Sequence, residues 1–117
     1  MLFRSSKIAN DIRWLGSGPR CGIGELVLPA VQPGSSIMPG KVNPVICEAL
    51  IMVCCSVIGN SAATTAGGFG GIGSLLDLNV AMPMMAHHTL DSIQILAAGC
   101  RMFEANLLKN LKPDEAR

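Results

Sequence analysis

The sequence predicts an all-α protein, and three observations support this fold class. Half of the 117 residues are hydrophobic. Apolar residues recur at helical spacing in two segments and form a long apolar run in a third, whereas runs typical of strands are few. Glycine and proline separate the three segments, as expected for helices joined by turns.

The first predicted helix covers residues 5–15. Ile8, Ile12 and Leu15 fall on one stripe at i, i+4 and i+7. Ser5 or Ser6 can cap its start, and Gly16 can end it. Residues 22–31 are expected to be irregular or briefly extended.

The second predicted helix covers residues 44–66. Pro44 suits a first helical position because its missing N–H needs no partner there, and Asn43 is then a good N-cap. Its apolar residues from Val45 to Cys55 are not confined to one face. A helix that is apolar all round must be buried on all sides. We therefore expect partner chains, or further parts of the same chain, to surround this helix.

A glycine-rich connector at 67–73 precedes a third predicted helix at about 78–111. The run from Gly68 to Gly73 fits G-x-G-x-x-G, but a dinucleotide site needs a strand before it, and here a helix precedes. Leu90, Ile93 and Leu96 define a stripe of the third helix. Pro83 either kinks this helix or marks its true start.

Composition narrows the possible functions. The net charge is +1 and only 15% of the residues are charged, so neither nucleic acid nor an anionic membrane is an expected partner. The longest apolar segment, 45–58, is shorter than the roughly 20 residues of a membrane span. Residues 1–4 are too short for a signal peptide, although a longer form could carry any targeting segment.

The cysteines and histidines do not predict a metal site. Five cysteines without a C-x-x-C pair indicate reduced, mostly buried thiols. His87 and His88 are adjacent, so they point about 100° apart on a helix and do not share a face. We expect one packed and one partly solvated histidine.

Residues 32–43 form the loop with most chemical information. The stretch from 34 to 44 reads Gly-Ser-Ser-Ile-Met-Pro-Gly-Lys-Val-Asn-Pro. It delivers Ser35, Ser36 and Lys41 to the start of the second helix, whose free N–H groups and macrodipole attract anions. This predicts the handling of a carboxylate or phosphate. A P-loop is excluded because the spacing is wrong by one residue and Val42 replaces the required Ser or Thr.

Glu48 is the single charge in the apolar part of the second helix. Burial of a carboxylate is unfavourable unless it is paired. Either Glu48 belongs to a structural ion pair or it orients a catalytic base, and its position one turn after the loop favours the second interpretation.

The loop resembles the signature of the fumarase/aspartase superfamily, Gly-Ser-Ser-x-Met-Pro-x-Lys-x-Asn-Pro, at every fixed position. The resemblance extends from about residue 7 to 110. The segments 7–15, 17–25 and 47–50 resemble class II fumarases rather than aspartases. It weakens at 69–76, where this chain is a few residues longer than the family's usual turn.

The resemblance implies long helices of the superfamily's central helical bundle and reversible addition of water to fumarate, giving malate, in the tricarboxylic acid cycle. By correspondence, Ser35 is the catalytic base and Glu48 partners the family's catalytic histidine. The substrate contacts are Ser36, Lys41, Val42 and Asn43. No metal and no organic cofactor is implied. A fumarate or malate dicarboxylate is the expected ligand, and a homotetramer in the cytoplasm is expected, or in mitochondria if a longer form carries a transit peptide.

The same resemblance implies that this chain is an internal to C-terminal-side fragment, inactive alone, because family members are several times longer. Each of their active sites collects residues from three subunits. Two alternatives remain open at this point. One is an aspartate ammonia-lyase, against which Cys47 and Glu48 argue. The other is a truncated, non-catalytic helical assembly module.

Overall fold

The computed structural model describes residues 2–116 and confirms the all-α class. Its elements in chain order are α1 (Leu2–Leu15), β1 (Leu26–Val27), α2 (Val45–Gly67), β2 (Ser74–Leu75), β3 (Leu78–Asn79), α3 (Met82–Asn106), a 3-10 turn (Leu108–Asn110) and β4 (Lys112–Pro113). β2 and β3 form a hairpin. β1 pairs with β4 in antiparallel register, Leu26 opposite Pro113, which ties the chain after α3 to the segment before the signature loop.

Helices α2 and α3 pack antiparallel over most of their length. A Cβ added at Gly99 would lie 3.2 Å from Val53, and at the far end a Cβ at Gly67 would lie 2.8 Å from Met85. The absence of side chains at these two positions therefore allows the helices to approach closely. α1 lies against α2.

The core is small and lies towards the N-terminal end of α2. Five buried residues form it, with Ile12, Leu28, Ile46 and Ile51 packed around them: Ala9, Cys47, Leu50, Phe103 and Leu107. All three helices contribute to this cluster or to the residues around it. The start of α2, which follows the signature loop, is thereby held in place by the best-packed part of the chain.

Much of α2 lacks cover from the described residues. Its apolar residues Met52 and Ile58 are 63% and 41% exposed. The radius of gyration is 19.2 Å and the extents are 66 × 29 × 24 Å, against about 13 Å expected for a compact domain of roughly 100 residues. α2 is long and apolar enough to cross a membrane, but core helices of soluble proteins often have the same length and composition.

The structure corrects the predicted starts of the first two helices and the predicted cap of the second. α1 begins at Leu2, not residue 5, so Ser5 and Ser6 lie inside it. α2 begins at Val45 with Pro44 as its N-cap residue. Asn43 does not cap α2, because its carbonyl oxygen accepts the Val45 N–H at 2.8 Å while its side-chain amide reaches back to Gly34.

The third helix is also shorter than predicted. Residues 78–79 pair with β2 in the hairpin, and α3 starts at Met82, so Pro83 marks the true start and no kink is required. The Asn79 side chain accepts the Ala81 N–H at 2.7 Å and supports this start. α3 ends at Asn106, before a 3-10 turn, rather than at residue 111. Leu90 and Ile93 of the predicted stripe are 67% and 62% exposed.

The two histidines behave as predicted. His88 is half-buried, with its Nδ1 2.7 Å from the Asn60 side-chain oxygen, whereas His87 is exposed. The thiols are only partly as predicted: Cys47 and Cys54 are buried, but Cys21, Cys55 and Cys100 are exposed.

Burial predicts two reactivity classes among the five thiols. Burial raises the pKa of the Cys47 thiol, and of the Cys54 thiol, above their ordinary value of 9.0, although Arg13 partly offsets the rise at Cys47. A thiolate is the reactive form, so a disulfide reagent near neutral pH is expected to modify three thiols quickly and these two slowly.

Because the folded chain keeps the protons of Cys47 and Cys54 at a pH where the unfolded chain loses them, the free energy of unfolding should fall as pH rises above 9.0.

The measurement is thiol modification followed by peptide mass spectrometry, with urea as the control that exposes all five thiols. Equal rates for Cys54 and its exposed neighbour Cys55 in the native chain would contradict the packing of α2 on α3.

Candidate active site

The signature loop is closed by its own backbone. The Gly34 N–H donates to the Lys41 carbonyl oxygen at 2.8 Å, and the Lys41 N–H donates to the Met38 carbonyl oxygen at 3.2 Å. The Asn43 side-chain amide donates to the Gly34 carbonyl oxygen at 3.5 Å. These bonds bring the two ends of the loop together directly before α2.

Two glycines make this closure possible. A Cβ at Gly34 would overlap the Lys41 carbonyl group, so only glycine allows the backbone to approach this closely. Gly40 has φ +77°, in the left-handed region that glycine tolerates, and it turns the chain back towards Gly34.

Ser35 accepts two backbone hydrogen bonds through its hydroxyl oxygen. Its Oγ accepts the N–H of Ile37 at 3.1 Å and the N–H of Met38 at 3.4 Å. Donors directed at one oxygen favour negative charge on it. The arrangement therefore suits a hydroxyl group that gains negative character, while the same bonds also serve as an ordinary turn of a serine side chain.

Three of the predicted site residues line one open depression of about 470 Å³. They are Ser35, Lys41 and Val42. Ser36 and Asn43 are in the same loop but do not line it, and neither does Glu48, which lies one turn into α2. The ammonium group of Lys41 is the single cationic side chain that lines the depression, which supports the prediction of an anionic ligand.

Gln32 lines the same depression and was not singled out by the sequence analysis. It is a polar residue between Val31 and Pro33, three positions before Ser35. That interruption of an apolar run was the available signal. Its amide can both donate and accept hydrogen bonds to a ligand held beside Lys41.

Glu48 is half-buried in the first turn of α2, where its charge is favourable to the helix macrodipole. Residues 2–116 contain two ion pairs, Lys7 with Asp11 and Lys109 with Glu104. Glu48 belongs to neither, so the structural ion pair considered for it is not formed with the described part of the chain. Within that part, no group of three or more His, Cys, Asp or Glu side chains could hold a metal ion.

Comparison with known proteins gives a consistent result. Residues 3–59 match a family described as lyase. The chain is 52% identical over 111 residues to the class II fumarate hydratase of Wigglesworthia glossinidia brevipalpis, which covers 95% of this chain and 23% of that protein. It is 54% identical over 111 residues to the mitochondrial fumarate hydratase 1 of Arabidopsis thaliana, covering 95% and 22%.

Solved structures agree with these sequence matches. The class II fumarase of Schistosoma mansoni superposes with a TM-score of 0.90 at 40% identity, over 97% of this chain and 23% of that one. A fumarate lyase:delta crystallin from Brucella melitensis superposes with a TM-score of 0.83 at 44% identity, over 97% and 24%.

The chain therefore resembles a family of lyases over residues 3–59, just under half of its length. The Wigglesworthia and Arabidopsis relatives are fumarate hydratases and the Schistosoma protein is a class II fumarase, so the predicted resemblance to fumarate hydratases is confirmed. The chain spans about a quarter of the length of these relatives.

The hydrogen bond that closes the loop predicts the effect of adding a methyl group at residue 34. Gly34→Ala is expected to break the bond from residue 34 to the Lys41 carbonyl, since the new Cβ occupies that space. Loss of one net hydrogen bond is worth about 1 kcal/mol, or roughly fivefold in an opening equilibrium. Amide hydrogen exchange at residue 34 should accelerate by about that factor or more.

Gly70→Ala is the matched control, because nothing lies within 4 Å of a Cβ at Gly70. Unchanged exchange at residue 34 in Gly34→Ala, or equal acceleration in both variants, would contradict the closed loop.

Proposed function

We propose that this chain is the signature-loop segment of a fumarate hydratase that adds water reversibly to fumarate to give malate in the tricarboxylic acid cycle. The observation that carries the proposal is the closed loop before α2, which presents Ser35 and Lys41 at one depression. The similarity to class II fumarate hydratases at over 50% identity supports it.

In this proposal Ser35 is the catalytic base. In the direction from malate to fumarate, its Oγ takes a proton from the carbon beside a carboxylate, and the electron pair left behind moves onto that carboxylate. The two N–H groups that already point at Oγ stabilise the negative oxygen required for this step. The proton that accompanies departure of the hydroxyl group comes from an acid outside this chain.

Lys41 stabilises the charge that develops on the substrate carboxylate. In many enzymes, preorganised donors and cations at such a position contribute more to the rate enhancement than any other single effect. The positive end of α2 adds to the same field. Ser36, Val42 and Asn43 complete the substrate contacts through the loop, and Glu48 orients a catalytic histidine contributed from outside these 117 residues.

The exposed apolar surface of α2 supports an oligomer, a homotetramer in the complete protein. Burial of α2 requires apolar partners, and a site that takes residues from several subunits fits a chain that carries one part of it. We place the complete protein in the cytoplasm or in mitochondria, since relatives of both bacterial and mitochondrial kinds are similar to it.

A chimera tests the catalytic proposal. The matched 111 residues of this chain replace the equivalent segment of the Wigglesworthia relative, and malate formation from fumarate is measured. We expect activity in the chimera and none in the isolated chain. Ser35→Ala should lower kcat by about 10²–10⁴-fold, the usual contribution of a positioned base.

Ser74→Ala, an exposed serine of β2, is the control and should keep full activity. Ammonia release from aspartate, measured on the same chimera, decides between the two lyase alternatives. An active chimera in which Ser35→Ala works as well as the parent would remove Ser35 from the mechanism. A folded but inactive chimera would favour the non-catalytic assembly module.

Self-association of the isolated chain tests the oligomer proposal. Exposed Met52 lies on α2, so the chain is expected to sediment as an oligomer or aggregate. Met52→Arg should shift the distribution towards monomer, because an arginine side chain opposes apolar burial. Met38→Arg changes a similarly exposed methionine of the loop and should have little effect. Monomeric sedimentation of the parent chain at every concentration would contradict the proposal.

A further inference from the structure

A polar cluster lies between α2 and α3, outside the signature loop and unused by the proposed reaction. The Asn60 side-chain Nδ2 donates to Asp91 Oδ2 at 2.8 Å and to Ser92 Oγ at 3.1 Å. The Asn60 Oδ1 lies 2.7 Å from His88 Nδ1. All of these contacts are half-buried between the two helices.

The chemistry of Asp91 fixes the direction of every bond in the cluster. A carboxylate only accepts hydrogen bonds, so the Asn60 NH₂ group must face Asp91 and its oxygen must face His88. Ser92 agrees with this direction, because its hydroxyl proton is already given to the His88 carbonyl oxygen at 2.7 Å and its oxygen is left to accept from Asn60.

This direction determines the proton position on His88. The Asn60 oxygen can only accept, so His88 Nδ1 must carry a hydrogen. A neutral imidazole carries one N–H, and Nε2 is then left as an acceptor with a free lone pair. His87, the adjacent ring at a centroid distance of 5.4 Å, is exposed and has no such constraint.

We propose that Asp91 acts through Asn60 as a positioning residue, holding the neutral His88 ring as the Nδ1–H tautomer so that Nε2 is left to accept from an N–H or O–H donor. Asn60, His88 and Ser92 line a groove of about 320 Å³ between α2 and α3. The groove is also lined by hydroxyl and apolar residues: Ser61, Thr64, Thr65, Thr89, Leu2, Val57 and Ile93.

Imidazole ¹⁵N NMR on the chain tests this directly. With both histidines labelled, His88 is expected to show a protonated Nδ1 and an unprotonated Nε2 above the pH at which the ring is neutral. His87 should show the average of both tautomers typical of solvated imidazole, and it serves as the internal reference. His87→Gln assigns the remaining signals. Solid-state spectra of sedimented protein give the same readout when the chain self-associates.

Two variants separate the role of Asp91 from general packing. In Asp91→Asn, residue 91 can also donate, and Ser92 is then the one remaining group that orients the Asn60 amide, so His88 should move part of the way towards the averaged pattern of His87. Ser92→Ala keeps the carboxylate and should keep the Nδ1–H form.

An Nε2–H or averaged signal for His88 in the parent chain overturns the proposal, and this result does not depend on whether a variant folds. Retention of the full Nδ1–H form in Asp91→Asn overturns the role of Asp91. Loss of the Nδ1–H form in Ser92→Ala would show that packing around His88, and not the Asp91 carboxylate, determines the tautomer.

Discussion

The apolar surface of α2 is the constraint on which the other features depend. The helix contributes Cys47 and Leu50 to the core, receives the signature loop at its first turn, and carries Asn60 towards its far end. Such a helix is stable only when its sides are covered. In the described residues, α1 and α3 cover two sides and leave others open. The core at the start of α2 therefore holds the loop in place, while other parts of the helix stay exposed among the described residues.

The sequence predicted the presence of the three helices more accurately than it predicted where they begin and end. Apolar spacing located α1 and α3, and a continuous apolar run located α2, because these signals are averaged over many residues. The ends were less accurate. Asn43 has the ideal residue type for an N-cap, but its side chain is used to hold Gly34, and the helix starts without it. The contact of the Asn43 side chain with Gly34 therefore prevailed over the preference of asparagine for an N-cap position. Residues 78–79 became a strand because Asn79 and Leu78 pair with the segment after the glycines, a pairing that no local pattern announced.

Within the candidate site too, the sequence predicted some features and missed others. The motif from Gly34 to Pro44 placed the loop correctly, and the closeness of Ser35 to Lys41 follows from the short turn between Gly34 and Lys41. Gln32 was missed because an isolated polar residue carries little weight without knowledge of the turn that brings it to Lys41. Glu48 is the opposite case: the sequence indicates its importance, but it belongs to neither ion pair within residues 2–116, so its role stays a prediction.

One physical difference separates the signature loop from Glu48 and the exposed part of α2. Residues 34–43 determine each other because they close on themselves through backbone bonds, so their geometry is already complete in a quarter of the length of the relatives. The Glu48 carboxylate has no ion-pair partner within residues 2–116, and part of α2 stays exposed there. Catalysis by differential stabilisation of a transition state requires all of its donors at once. A preorganised loop can thus persist in a chain without activity, and its geometry is evidence of ancestry and of binding chemistry before it is evidence of turnover. The direction of the Asn60 bonds is also complete within the chain, which makes the tautomer of His88 a property that the fragment itself can express.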